Sequence, residues 1–186
     1  VTVPEHKAKA PAAPLRLAVV TVSDTRTAAT DVAGDLAGSL IGAAGLVVAS
    51  RDLVPDDEEA IRARVRALLA GGAADAVLLT GGTGISPRDR TVEAVLPLIE
   101  RRLDGFGELF RMLSFEEIGP AAMLSRAVAG VAGRVALFAV PGSPAAVRLA
   151  LERLILPELR HVLGELRRGE RHEHAHHDHH GEGHCE

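Results

Sequence analysis

The 186-residue chain contains no tryptophan and no tyrosine, and its aromatics are four phenylalanines. Single-stranded nucleic acid is gripped by aromatic stacking platforms, so this composition argues against that class of binder. A basic excess is missing as well. The formal net charge is −4, whereas a duplex phosphate backbone demands a cationic face. No nucleic-acid partner is expected. Cysteine is reduced to Cys185, next to last, so no disulfide can form within one chain, as suits a reducing compartment. No apolar run approaches the roughly 18 residues of a membrane span. Residues 1–14, rich in Pro, Ala and Lys, lack the apolar segment of a secretory leader. The expectation is a soluble cytoplasmic protein without a membrane partner.

Hydrophobic residues nonetheless make up 47% of the chain. A single domain of this length therefore fills its core with Ala, Val, Leu and Ile. Residues 15–22 form an apolar run interrupted only by Arg16 and Thr21, and predict a buried strand that ends in the polar loop 23–27. From Asp31 a helical pattern places Val32, Leu36, Leu40 and Ile41 on one face, with Gly45 as a stop. A second strand spans 46–54. Asp56 then opens a helix carrying Ile61, Val65, Leu68 and Leu69, ended by Gly71-Gly72. A third strand begins at Ala76 and leads through a glycine-rich loop to a helix with Val92, Val95, Leu96 and Ile99. Residues 105–126 have mixed helical character, and 128–131 with 135–140 predict a hairpin turning at Ala132-Gly133. Ser143-Pro144 is a good helix opening, and Pro157 breaks or restarts that helix before it ends near Arg168.

Alternation of unbroken apolar strands with helices predicts an α/β domain over residues 15–168. Its central sheet is mostly parallel, with helices on both faces and a small β-hairpin. A flexible arm (1–14) and a disordered tail (169–186) flank it. Ligands of such sheets sit beyond the strands' carboxyl ends.

The third strand runs into Thr80-Gly81-Gly82-Thr83-Gly84, then Pro87-Arg88-Asp89. Glycines between a strand and a helix bring backbone N–H groups to the sheet edge, where they and a helix dipole favour an anion. The loop is neither a Walker A loop nor a dinucleotide fingerprint, and a tight turn would explain it equally well. Its neighbours decide. Ser23-Asp24, Asp56 and Pro141-Gly142-Ser143 also follow strands. Each has a structural explanation: Asp56 with Glu59 reads as a capping box, and Asp89 and Ser143 read as helix caps. Convergence at one edge points further, to two carboxylates holding a divalent cation against a polyphosphate beside a backbone cradle.

These motifs, with Val54-Pro55-Asp56 upstream, resemble the molybdopterin-binding fold family of molybdenum cofactor biosynthesis. The run from Gly105 to Gly119 and the stretch Met123-Leu124-Ser125-Arg126 resemble its branch B. The resemblance covers about residues 15–164. It implies trimers or larger homo-oligomers and adenylyl transfer, in which molybdopterin and ATP give adenylylated molybdopterin and pyrophosphate with magnesium. It makes Asp56 and Asp89 the essential, magnesium-positioning acids. It places Gly81, Gly82, Thr83 and Gly84 around the terminal phosphate of molybdopterin, and adds Ser125, Pro141, Gly142 and Ser143 to the substrate pocket. Ser23, Asp24 and Thr80 at strand ends, and Glu108 in the long run, complete the expected substrate-binding set. The alternative is a pterin-binding or carrier protein of the same pathway without catalysis.

The tail carries His172, His174, His176, His177, His179, His180 and His184 beside acids and Cys185. That donor set suits nickel, zinc, cobalt or copper, or is a solvated extension with incidental affinity. Magnesium prefers oxygen ligands, so a tail metal site would be separate from the catalytic one.

Overall fold

The computed structural model describes residues 13–168. The arm before residue 13 and the histidine tail lie outside the described residues. Six strands form one sheet in the order β2-β1-β3-β6-β5-β4. Strands β1 (Arg16–Val22), β2 (Val47–Val54), β3 (Ala76–Thr80) and β6 (Val135–Val140) run parallel. The strands β5 (Val128–Ala132) and β4 (Arg101–Arg102) extend the sheet antiparallel.

Strand β3 is buried along its whole length and β1 nearly so, which is why both read as continuous apolar runs. Alternate residues serve two cores. Leu17, Val19, Leu78 and Phe138 face α1 (Val32–Ala43), α4 (Asp104–Ile118) and the C-terminal helix, while Val20, Leu79 and Leu137 face α2 (Glu58–Gly71) and α3 (Thr91–Val95). The scarce aromatics are concentrated in the first core. The Phe106 ring meets Phe138 edge-on at 5.3 Å and stacks on Phe110 at 6.2 Å, each contact adding about 0.5–1.5 kcal/mol beyond area burial.

Several local expectations are corrected. Helix α1 turns Ala33, Gly34, Ala37 and Ile41 inward and leaves Val32 62% exposed. Small side chains let this helix lie close to the sheet, so its buried stripe is narrower in volume than the Leu pattern suggested. Helix α3 stops after five residues, and Leu96–Leu98, with Pro97, follows as a single tight turn. Pro97 has no N–H to donate to Glu93 O, so the α-helical ladder stops before it, and Ile99 is already extended. The hairpin loop is Gly133-Arg134, with Gly133 at φ 56, the left-handed conformation that two-residue hairpins favour. Strand β4, only two exposed residues long, escaped the sequence pattern.

Pro157 does not break its helix. A wider turn, Leu151–Ile155, links α5 (Pro144–Ala150) to α6 (Leu156–Arg168), with the Leu156 N–H donating to Leu151 O. The i→i−5 pairing absorbs the proline's missing donor just beyond it. Among the described residues no helix is long and apolar enough to cross a membrane.

Candidate active site

Parallel strands carry their following loops to one edge. There the Ser23 N–H donates to Val54 O at 2.9 Å and the Gly81 N–H to Val140 O at 3.0 Å, tying four strand ends side by side. Gly81 (φ 105) and Gly82 (φ 63) are left-handed, a region that suits glycine. A Cβ on Gly81 would lie 2.3 Å from Val22 O, and one on Gly82 2.4 Å from Thr91 Oγ1 and 2.7 Å from Asp56 Oδ1. One on Gly84 would lie 2.8 Å from Asp89 Oδ2. The glycines are therefore required first by the chain's own atoms packed against the loop.

A hollow of about 300 Å³ opens in front of it. Gly82, Thr83 and Gly84, then Asp89, Ser125, Pro141, Gly142 and Ser143, all named as site residues from the sequence, line it. The opposite wall was not foreseen. It consists of Phe110, Ser114 and Ile118, one face of α4 at i, i+4, i+8 spacing. A serine interrupting an apolar stripe was the available signal.

The acids come out differently from a capping box. Asp57, not Asp56, caps α2, its carboxylate accepting from the Ala60 N–H at 2.8 Å. Asp56 is thereby released from the helix. Its N–H donates to Asp24 Oδ1 at 2.9 Å, and its own Oδ1 accepts from the Arg90 N–H at 3.1 Å. Partial burial raises the Asp56 pKa above its ordinary value. The Arg90 N–H opposes that shift, while the negative charges of Asp89 and Asp24 reinforce it. Asp89 does not cap α3 either, because Arg90 holds that position without a side-chain cap. Asp89 Oδ2 accepts from the Ser86 N–H at 2.7 Å and closes the turn before the helix. Ser143 does cap α5, its Oγ accepting from the Ala146 N–H at 3.2 Å.

Five expected substrate contacts do not line the hollow. Thr80 is fully buried, and its hydroxyl donates to Pro141 O at 3.2 Å, joining the ends of β3 and β6. Glu108 lines a separate hollow with Arg102, Arg111 and Arg126. Ser23 turns inward on its own loop, accepting from the N–H groups of Thr25 and Arg26. Asp24 and Asp56 stand beside the hollow without lining it, and Gly81 is covered behind it. Two cations were overlooked. Arg26 Nη2 donates to Gly142 O at 2.8 Å, with Nη1 3.7 Å from Asp31. Arg126 holds the glycine loop from the far side.

The chemistry of this donor set fits an anion on one side and a small hard cation on the other. Thr83 Oγ1 is buried without a hydrogen-bond partner among the described residues, which is costly unless a ligand supplies one. No group of three or more His, Cys, Asp or Glu among the described residues is arranged to hold a metal ion. A pair of carboxylates completed by substrate oxygens and water is instead the usual environment of magnesium. A larger hollow, about 740 Å³, lies at the opposite sheet edge. Of its two acids, Asp75 is already bound by Arg16 and Arg167, and Glu100 accepts from the Gly133 N–H.

Fold and hollow thus define an α/β protein with a glycine-bordered crevice beyond the carboxyl ends of its parallel strands. Residues 18–161 match the family described as "Probable molybdopterin binding domain", and the chain belongs to that family. It is 50% identical over 168 residues to molybdenum cofactor biosynthesis protein B of Bacillus subtilis (strain 168), covering 90% of this chain and 98% of that protein. A crystal structure of a molybdenum cofactor biosynthesis protein B superposes with a TM-score of 0.81 at 50% identity, covering 84% of this chain and 98% of the other. The tungsten cofactor synthesizing protein MoaB from Pyrococcus furiosus does so with a TM-score of 0.73 at 38% identity, covering 85% and 99%.

Proposed function

We propose that the protein adenylylates molybdopterin with ATP in the cytoplasm. A terminal phosphate oxygen of molybdopterin attacks the α-phosphorus of ATP. The new P–O bond forms as the bond to the β-phosphate oxygen breaks, and pyrophosphate leaves with that electron pair. The observation carrying this reading is the convergence of Gly82, Thr83, Gly84, Asp89, Ser125 and Ser143 on one hollow, with Asp56 and Asp24 crowded beside it. Such transfer is chiefly positioning and charge neutralisation.

In this reading Thr83 Oγ1 donates to a phosphate oxygen, and Ser125 and Ser143 orient the pterin. Asp56 and Asp89 would hold magnesium, which when bound offsets the charge of the polyphosphate. The raised Asp56 pKa supports a cation there, because mutual repulsion among the acids is relieved by positive charge. The exposed apolar face of α4, with Leu109 46%, Met112 53%, Phe115 58% and Ile118 60% exposed, supports a homo-oligomer that covers it.

Incubation with molybdopterin, ATP and magnesium, followed by detection of adenylylated pterin and pyrophosphate, tests the reading. Binding of molybdopterin without product would replace it by the carrier alternative.

A further inference from the structure

The turn Gly84–Asp89 is closed on itself. The Asp89 N–H donates to Ser86 O at 2.9 Å, the Ser86 N–H to Asp89 Oδ2 at 2.7 Å, and the Arg88 N–H to Ser86 Oγ at 3.4 Å. Its middle, residues 85–88, is exposed. Among the described residues, the hydrogen bonds that tie this turn to the rest of the fold come from one side chain. Arg126 Nε donates to Gly84 O at 2.7 Å, and Nη2 donates to Asp89 O at 3.2 Å. These are the first and last carbonyls of the turn. One position earlier the Arg126 N–H donates to Thr83 O at 3.1 Å.

The same guanidinium is fixed from α3. Nη1 pairs with Glu93 Oε1, and Nη2 reaches Glu93 Oε2 at 3.2 Å. The hydrogen bond from Arg126 lowers the Glu93 pKa, partial burial opposing it, so the pair stays ionised below the ordinary carboxylate range. We propose that Arg126 is the positioning residue of the site: its planar fork staples both ends of the Gly84–Asp89 turn and so sets where the Asp89 carboxylate stands. This rests on the adenylyl-transfer reading, in which Asp89 is a catalytic acid.

Geometry explains why arginine is needed. One edge of the guanidinium, Nε with Nη2, spans two carbonyls, while the end, Nη1 with Nη2, meets a carboxylate. A lysine ammonium reaches Glu93 as a point charge but lacks two coplanar donors at that spacing. Arg126 also borders the hollow of about 450 Å³ that contains Arg102 and Arg111. A free guanidinium ion can enter from that side.

The experiment compares the parent with Arg126→Lys and Arg126→Ala. Single-turnover adenylylation, molybdopterin affinity and amide hydrogen exchange of residues 84–89 are measured on each. Arg126→Lys keeps molybdopterin affinity within about threefold while transfer falls about 100-fold, the loss expected of an acid displaced by about 1 Å. Guanidinium chloride at non-denaturing concentration restores part of the rate to Arg126→Ala and nothing to Arg126→Lys. Exchange in residues 84–89 rises in Arg126→Ala while the β1 and β3 amides stay protected. Parental transfer by Arg126→Lys overturns the proposal, as does a parallel loss of rate and affinity without guanidinium rescue. Hydrogen exchange separates the two claims. A parent that forms no adenylylated pterin defeats the transferase reading, and unchanged exchange of the turn in Arg126→Ala defeats the staple whatever the activity.

Discussion

The Asp56 carboxylate stands where a methyl group on Gly82 would have to go, Oδ1 being 2.7 Å from the ideal Cβ position. Gly82 is left-handed at φ 63, and Thr91 Oγ1 is closer still at 2.4 Å. Gly82→Ala therefore combines backbone strain with overlap, together about 2–4 kcal/mol of stability. It also pushes Asp56 away from the Arg90 N–H. Thermal melting and adenylylation on the same variant check this. A fall in activity beyond the unfolded fraction is expected, and an unchanged melting temperature would contradict the packing.

Asp56→Asn tests the crowding of acids. The pKa of Asp56 is raised by burial and by Asp89 and Asp24. Its ionised form is therefore disfavoured in the fold, and stability declines as pH rises from the unfolded value, 3.8, through the folded one. At neutral pH the neutral amide removes that penalty and can still accept from Arg90. Without magnesium the variant should melt higher than the parent at pH 7, and the difference should vanish well below pH 3.8. Equal melting at pH 7 would show that neither burial nor the neighbouring acids penalise the Asp56 carboxylate.

At the opposite sheet edge, burial would raise the Asp75 pKa, but its bonds to Arg16, aided by Arg167, bring it below the ordinary value. The resulting stability is present above the unfolded pKa and lost as pH falls through the lower, folded one. Asp75→Ala should cost about 2 kcal/mol at neutral pH and leave turnover per folded molecule unchanged. Chemical denaturation at pH 7 and pH 3 measures the stability loss, with the larger difference at pH 7, and single-turnover adenylylation measures the turnover.

Phe115→Asp puts a charge in the middle of the exposed α4 face. Sedimentation should show a smaller assembly than the parent at equal concentration, with secondary structure intact. An unchanged mass would remove α4 from the interface.

Much of this fold was legible because β1 and β3, buried on both faces, are almost wholly apolar, their buried Thr21 and Thr80 each hydrogen-bonded. Ser143 was equally legible, since cap and Pro144 reinforce each other over adjacent positions. The cap of α2 was misplaced by one residue, at Asp56, because Glu59 completes a capping box for Asp56 while Asp57 has Ala60 three residues on, and only the path of the chain makes Asp57 the cap. The length of α3 depended on Pro97 outweighing an apolar pattern that continued past it. Arg126 and the α4 wall were hidden for another reason. Their partners, Gly84 and Asp89 for one and the glycine loop for the other, are distant in sequence and meet only after the sheet assembles.

The measurement that bears most directly on the central claim is single-turnover adenylylation of molybdopterin by the parent and Asp89→Asn in parallel, with molybdopterin binding titrated on both. The side-chain amide introduced by Asp89→Asn keeps an acceptor for the Ser86 N–H, so the turn survives while a charge is lost. The parent should form adenylylated molybdopterin and pyrophosphate one for one. The variant should bind molybdopterin within about threefold of the parent yet transfer about 100- to 1,000-fold more slowly. No product from the parent, or equal rates from both proteins, would contradict the account.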